Sequence, residues 1–205
     1  MAINLQKGQK IDLKKSNPGL SKILVGLGWD PVSSGGGGFL SSLFGVGQAD
    51  IDCDASVFML NKDGKLESTK DLIYFGNLKS ENKSVVHTGD NITGEGDGDD
   101  EELLVDLDKI PSKIENLIFT VNIYKAFERK QHFGMIKNAF IRVVDRNTNK
   151  EIVRYNLSDN YSEKTALIVG NIKRENGSWD FKAIGDGYRF KGLNDILSNL
   201  NKIQF

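Results

Sequence analysis

The sequence predicts an all-β protein, a two-sheet antiparallel β-sandwich with short helices. Its apolar segments are mostly short and rich in β-branched and aromatic residues, and turn residues separate them. There are ten such segments. So many short strands would curl a single open sheet, which favours two sheets packed face to face.

The candidate strands follow one another without an internal repeat. They are residues 22–27, 53–60, 72–75, 84–87, 103–107, 117–124, 139–144, 152–156, 166–173 and 179–184. Between them, residues 61–64 (NKDG) and 175–178 (ENGS) contain the Asp-Gly and Asn-Gly pairs that supply positive φ angles in hairpins. Residues 145–150 (DRNTNK) are predicted to form a longer hairpin loop.

Two segments are predicted to be helical. Residues 126–133 (AFERKQHF) form a short helix that ends before Gly134. Residues 193–203 place five apolar side chains on one face at the three- and four-residue spacing of an amphipathic helix. We expect this C-terminal helix to cover a sheet, with partner binding as the alternative. The whole chain, residues 1–205, is predicted to be one domain.

Composition excludes several classes of protein. The 205 residues carry 27 basic and 28 acidic side chains, a formal net charge of −1, which argues against a general affinity for nucleic acid. No apolar run reaches the roughly 20 residues of a membrane-spanning helix, and the N terminus lacks an apolar signal segment, so we expect a cytoplasmic protein. With one cysteine, Cys53, and two histidines, neither an internal disulfide nor a zinc centre is expected.

Acidic residues are concentrated in three segments that we expect to converge. Asp30 follows the first predicted strand. Residues 50–54 (DIDCD) lead into the second strand, where Asp52 and Asp54 point to the same side. The third segment, residues 90–102, contains no basic residue and seven acidic ones: Asp90, Glu95, Asp97, Asp99, Asp100, Glu101 and Glu102.

Crowded carboxylates repel one another by roughly 1 kcal/mol per pair even in water. Solvent exposure, protonation at a cost in stability, or a bound hard cation would relieve this repulsion. Ca²⁺ takes about six to eight oxygen ligands, and glycines at 94, 96 and 98 allow the backbone to curl around one centre. The sequence therefore favours a calcium site, with a solvated acidic loop as the alternative. It is not an EF-hand, because Glu95 occupies the sixth position from Asp90, where that motif has glycine.

Several motifs together resemble those of the TerD family of tellurium-resistance and stress-response proteins. The acidic motifs are LVGLGWD at 24–30, DCDAS at 52–56, HTGDN at 87–91 and TGEGDGDDE at 93–101. Further matching motifs are FG at 133–134, NAFIR at 138–142, RYNL at 154–157, WDF at 179–181 and AIGDGY at 183–188. The resemblance thus spans nearly the whole chain.

This resemblance implies a cytoplasmic stress protein whose β-sandwich holds two neighbouring Ca²⁺ ions in acidic loops. It implies no enzymatic activity and no catalytic residues, and it suggests protein partners in a stress-response complex. Carried over position by position, it implies the metal ligands Asp30, Asp52, Asp54, Asp90, Asn91, Asp97, Asp99, Asp100 and Glu101.

Other functions stay open. One is a small-molecule or cyclic-nucleotide-binding module, although the sequence shows no basic or aromatic pattern for a phosphate; another is a metal-dependent hydrolase. A third is calcium-dependent membrane contact through a glycine-rich loop insert at residues 33–47, which carries Phe39, Leu40, Leu43 and Phe44. The alternative is that these four side chains fold back onto the sandwich. Cys53, a small residue between aspartates, is expected to be a buried packing group.

Overall fold

The computed structural model describes residues 2–31, 51–89, 98–203 and 205. Within these residues the chain forms twelve strands and three short α-helices. The strands are β1 (Ile3–Leu5), β2 (Lys10–Asp12), β3 (Lys22–Pro31), β4 (Cys53–Leu60), β5 (Leu72–Ile73), β6 (Val85–His87), β7 (Glu101–Asp106), β8 (Asn116–Ile123), β9 (Ile136–Asp145), β10 (Lys150–Asn156), β11 (Ala166–Glu175) and β12 (Ser178–Tyr188). The helices are α1 (Leu13–Ser16), α2 (Ala126–Arg129) and α3 (Leu193–Asn199).

The strands form two six-stranded sheets, which confirms the predicted sandwich. The first sheet has the order β1-β10-β9-β3-β7-β6, and the second has the order β2-β12-β11-β8-β4-β5. β1 pairs with β10 in parallel. The other pairings between these strands are antiparallel, as the short connections between apolar segments predict.

The main core lies between the two sheets and follows from the alternation of side chains along each strand. In β7, for example, Glu101, Leu103 and Val105 are buried, whereas the residues between them are half-buried. A second apolar cluster lies on the opposite face of the second sheet, where Phe58 and Ile118 pack in the same cluster as Ile196 of α3. The C-terminal helix therefore covers a sheet, as its amphipathic pattern predicts.

The predicted turns form where their sequences place them. Asn176 and Gly177 have φ angles of +51° and +78° and connect β11 to β12. Gly64, with a φ of +70°, donates its amide to the carbonyl of Asn61 at 3.0 Å. The loop after Asp145 joins β9 to β10.

Several element boundaries differ from the prediction. The predicted helix at 126–133 is wrong in its second half, because Lys130 adopts a left-handed φ of +53° and ends α2. The helix predicted for 193–203 continues past α3 only as a 3-10 turn, Leu200–Lys202. Strand 72–75 is limited to β5, and the three-residue strands β1 and β2 were not predicted.

Two further sequence expectations concern particular segments. The glycine-rich insert at 33–47, with Phe39, Leu40, Leu43 and Phe44, lies outside the described residues. Among the helices of the described residues, none combines the length and apolar character that crossing a membrane requires.

Candidate metal centre

The described residues of the three acidic segments meet at one end of the sandwich. β3 runs towards this end and β7 leaves it, so Leu27 pairs with Glu101, and the amide of Asp100 donates to the carbonyl of Leu27 at 2.8 Å. β4 starts in the opposite sheet, and its Ala55 amide donates to Oε2 of Glu101 at 2.6 Å. The Glu101 carboxylate thereby joins the two sheets where the acidic segments begin or end.

Asp100 lies in a negative environment. Its Oδ2 accepts the backbone N–H of Trp29 at 2.7 Å. Burial, followed by the negative charges of Asp30 and Asp99, raises the pKa of the Asp100 carboxyl above its usual value. The arrangement therefore disfavours an ionised carboxylate at this position and would favour any nearby positive charge.

Asp30 lies near the end of β3. The register between β3 and β9 shifts just before it, between Gly28 and Asp30. Its Oδ2 accepts the side-chain amide of Asn138 at 2.7 Å. Asp30, Gly98 and Asn138 line a cavity of about 500 Å³. Gly98 directly precedes Asp99, so this cavity lies beside the acidic residues that lead into β7.

Asp99 is held by an arginine of β9. Its Oδ1 accepts from Nε of Arg142 at 2.8 Å and its Oδ2 accepts from Nη2 at 3.0 Å, a two-pronged geometry typical of strong Arg–carboxylate pairs. The carboxylate lies against Gly26, where any added Cβ would overlap it. The Asp99 side chain is 1% exposed, so this ion pair is largely removed from water.

Glu101 also has partners within the protein. Besides accepting from Ala55, its Oε2 lies 3.3 Å from Nε2 of His87, and both side chains are buried. These contacts give Glu101 a clear role in joining the sheets.

Asp52 and Asp54 enter the second sheet on either side of Cys53. Oδ2 of Asp52 lies 3.8 Å from Nη1 of Arg129, and Oδ2 of Asp54 accepts from the Asn122 side-chain amide at 3.3 Å. Cys53 is fully buried, which confirms its predicted packing role. Burial and the negative charges of Asp54, Glu101, Asp52 and Asp100 raise the pKa of its thiol, so the thiol is kept in its unreactive protonated form.

Six of the nine residues implied as ligands are thus brought to this end of the molecule: Asp30, Asp52, Asp54, Asp99, Asp100 and Glu101. Asp90, Asn91 and Asp97 lie outside the described residues. Among the described residues, no group of three or more His, Cys, Asp or Glu side chains is arranged to hold a metal ion. A calcium shell would therefore need further oxygen donors, such as backbone carbonyls, water or residues 90–97.

Sequence reasoning missed the polar residues that hold these carboxylates. Arg142 and Asn138 lie on β9, far along the chain from Asp99 and Asp30. No local spacing links such distant residues. The charged Arg142 at the end of the NAFIR motif, on a strand whose buried residues are apolar, was the available signal.

Comparisons with known proteins agree with the motifs. A family model for the TerD domain matches residues 1–200. The chain is 58% identical over 198 residues to stress response protein SCP2 of Bacillus subtilis (strain 168), covering 97% of this chain and 98% of that protein. It is 44% identical over 188 residues to tellurium resistance protein TerD of Serratia marcescens, covering 92% of each chain.

A solved structure has the same fold. It is a homologue of telluride resistance protein (TerD) from Streptomyces coelicolor A3(2), with a TM-score of 0.62 and 20% identity, and the match covers 89% of this chain and 96% of that one. Together with the matching family model and the relatives above, this similarity leads to a plain conclusion. The chain belongs to the TerD family of tellurium-resistance and stress-response proteins.

Proposed function

We propose that this protein is a non-enzymatic, calcium-binding stress-response protein in which Ca²⁺ holds the acidic segments together at one end of the sandwich. The observation that carries the proposal is the convergence of carboxylates from β3, β4 and β7. Asp100 in particular is partly buried beside the negative charges of Asp30 and Asp99. Ionised carboxylates in such a position are costly unless a positive charge offsets them.

The donor chemistry fits a hard cation. The described carboxylates offer oxygen donors, whereas the nearby Cys53 thiol is buried and protonated. Ca²⁺ prefers oxygen ligands and tolerates the irregular shells that loops provide. When bound, it would supply the positive charge that these carboxylates lack among themselves.

Two of the residues implied as ligands make strong contacts within the protein. Asp99 accepts two hydrogen bonds from Arg142, and Glu101 accepts the amide of Ala55 across the sandwich. We assign these two residues to positioning the acidic segments. The residues that we assign as ligands are Asp30, Asp52, Asp54 and Asp100, together with Asp90, Asn91 and Asp97. Two ions, as the family resemblance implies, remain part of the proposal.

The relatives support the biological role that we propose. Their names connect them with tellurium resistance and with the stress response. In the proposed role, ion binding fixes the loops at one end of a rigid sandwich, and the fixed loops present a surface to protein partners. The protein itself would perform no chemistry.

Thermal unfolding of metal-stripped protein tests this proposal. Ca²⁺ that binds the folded state stabilises it by about 2.7 kcal/mol at a concentration 100-fold above the dissociation constant. We expect Ca²⁺ to raise the melting temperature of the wild type and of the control Asp63→Asn, whose side chain is exposed in a distant turn. Asp30→Asn and Asp97→Ala should lose most of the increase. An equal increase in all four proteins, or none in any of them, would contradict the proposal.

A further inference from the structure

A second concave site lies on the outer face of the second sheet. It is a cleft of about 650 Å³ between β5, the end of β8, α2 and the start of α3. Among the described residues, five large hydrophobic side chains are exposed, and three of them line this cleft: Phe75, Tyr124 and Phe127. Tyr74 adds a fourth ring, which meets Phe75 edge to face with 5.2 Å between the ring centres. Such a concentration of exposed aromatic surface is typical of a binding site.

A buried hydrogen-bond acceptor is also among the residues that line the cleft. Asn122 of β8 is only 5% exposed, and its side-chain nitrogen donates to Oδ2 of Asp54 at 3.3 Å. Its Oδ1 accepts no hydrogen bond from another described residue. Buried polar atoms in folded proteins are nearly always hydrogen-bonded, and leaving one unpaired is costly. The unpaired oxygen therefore indicates a missing donor, which one N–H or O–H group of a bound molecule would supply.

The charged residues of the cleft give no advantage to a charged ligand. Two lysines line it, Lys125 and Lys191, together with three carboxylates, Asp54, Glu128 and Asp195. Asp54 already accepts from Asn122 and belongs to the proposed calcium centre. The two lysines are thus matched by the two remaining carboxylates. Asp195 also accepts the backbone N–H of Lys191 at 2.9 Å.

Two of the rings already have positive groups beside them. The ammonium of Lys125 lies 5.4 Å from the ring centre of Tyr124, and the guanidinium of Arg189 lies 5.4 Å from that of Phe127. Cations at such distances are attracted to an aromatic face. A cationic ligand would be repelled by these groups, whereas an uncharged aromatic ring can still pack against the exposed parts of the walls.

We propose that this cleft binds an uncharged aromatic molecule with one hydrogen-bond donor, the chemistry that indole represents. Its ring packs among the aromatic walls, and its N–H or O–H donates to Oδ1 of Asn122. The cleft volume is within the range of small-molecule sites, which combine apolar walls with a few polar groups that fix orientation. The inference does not rest on the proposed function, because neither Asn122 nor the aromatic walls are assigned to calcium.

Fluorine NMR with three indoles tests this inference on the metal-free full chain. We expect saturable binding of 5-fluoroindole. 5-Fluoro-1-methylindole, which has no N–H, should bind about tenfold more weakly, because it leaves the buried Asn122 oxygen unpaired. 5-Fluoroindole-3-acetate keeps the N–H and adds an acid group, and it should bind no more tightly than 5-fluoroindole.

Matched variants locate the site. Phe127 and Ile3 are both 41% exposed, and Ile3 lies in the other sheet, so neither truncation threatens the core. Phe127→Ala should weaken binding of 5-fluoroindole about fivefold through loss of aromatic contact, whereas Ile3→Ala should bind it as the wild type does. Asn122→Leu removes the acceptor and should bind 5-fluoroindole and its 1-methyl derivative with equal affinity. Because Asn122 is buried, the exposed pair of variants decides the test if Asn122→Leu does not fold.

Four results would overturn the inference. They are no saturable binding of 5-fluoroindole, equal affinity of the wild type for 5-fluoroindole and its 1-methyl derivative, tighter binding of the acid, and equal affinity of Phe127→Ala and Ile3→Ala.

Discussion

The buried Asp99–Arg142 pair gives the sharpest test of how the residues that lead into β7 are anchored. In Arg142→Met, the aliphatic part of the side chain stays and both hydrogen bonds to Asp99 disappear. The Asp99 side chain, which is only 1% exposed, then stays buried without a positive charge beside it. Glu151, the other partner of Arg142, keeps its contacts to Arg154 at 2.9 and 3.1 Å. The cost therefore falls mainly on Asp99.

Removing one member of a buried ion pair costs about 3–5 kcal/mol, because the remaining charge is desolvated without compensation. Arg142 is 28% exposed, so water reaches part of the site, and we expect a value near the lower end, about 3 kcal/mol. Asp99→Asn in the Arg142→Met background removes the uncompensated charge. The double variant should therefore regain more than half of the lost free energy of unfolding.

Urea unfolding of metal-free protein measures both effects, with Arg146→Met as the control. Arg146 lies four residues further on, is exposed, and forms no ion pair with a described residue. Its substitution should change the free energy of unfolding by less than about 0.5 kcal/mol. If Arg142→Met were as stable as Arg146→Met, or if Asp99→Asn destabilised the Arg142→Met protein further, the account of this anchor would be wrong.

Three further predictions concern the same end of the molecule. Gly26→Ala should lower the free energy of unfolding by about 1–3 kcal/mol in urea unfolding, because the new Cβ overlaps the Asp99 carboxylate; an unchanged value would contradict that contact. The pKa of Asp100 is raised in the folded protein, so its ionisation lowers stability as the pH rises above the ordinary carboxyl range. In metal-free protein, Asp100→Asn should therefore be more stable than the wild type at neutral pH, with the difference vanishing below about pH 4; melting curves across this range check the sign. Cys53 should react with a disulfide reagent only after unfolding, because its thiol is buried and its pKa is raised; rapid labelling of the native protein would refute this.

Much of the fold could be predicted because local patterns determine it. The apolar–polar alternation along β12 and the Asn-Gly turn at Asn176 are strong signals that do not depend on distant residues. The boundaries that failed depend on context. Lys130 takes a left-handed conformation that its sequence does not require, and β1 pairs in parallel with β10 through contacts about 150 residues apart. No window of sequence contains that information.

For the candidate site, the convergence of acidic segments could be predicted, and their separate roles could not. The alternation of Asp and Gly indicates where negative charge gathers. It does not show that Asp99 is paired with Arg142 or that Glu101 bonds to Ala55 across the sandwich. A cleft lined by Phe75, Tyr124 and Phe127 could not be predicted for the same reason, because these residues come from separate segments that only the folded chain brings together.

Divalent cations are proposed to complete the acidic end of the molecule, and isothermal titration of metal-stripped protein with Ca²⁺ and with Mg²⁺ tests this proposal most directly. We expect saturable uptake of Ca²⁺, weaker uptake of Mg²⁺ because Mg²⁺ demands a stricter shell and retains its waters, and strongly reduced uptake by Asp30→Asn. The weakest ordinary calcium sites of proteins bind Ca²⁺ with dissociation constants of about 1 mM. An absence of Ca²⁺ uptake at about millimolar concentrations would therefore contradict the proposal.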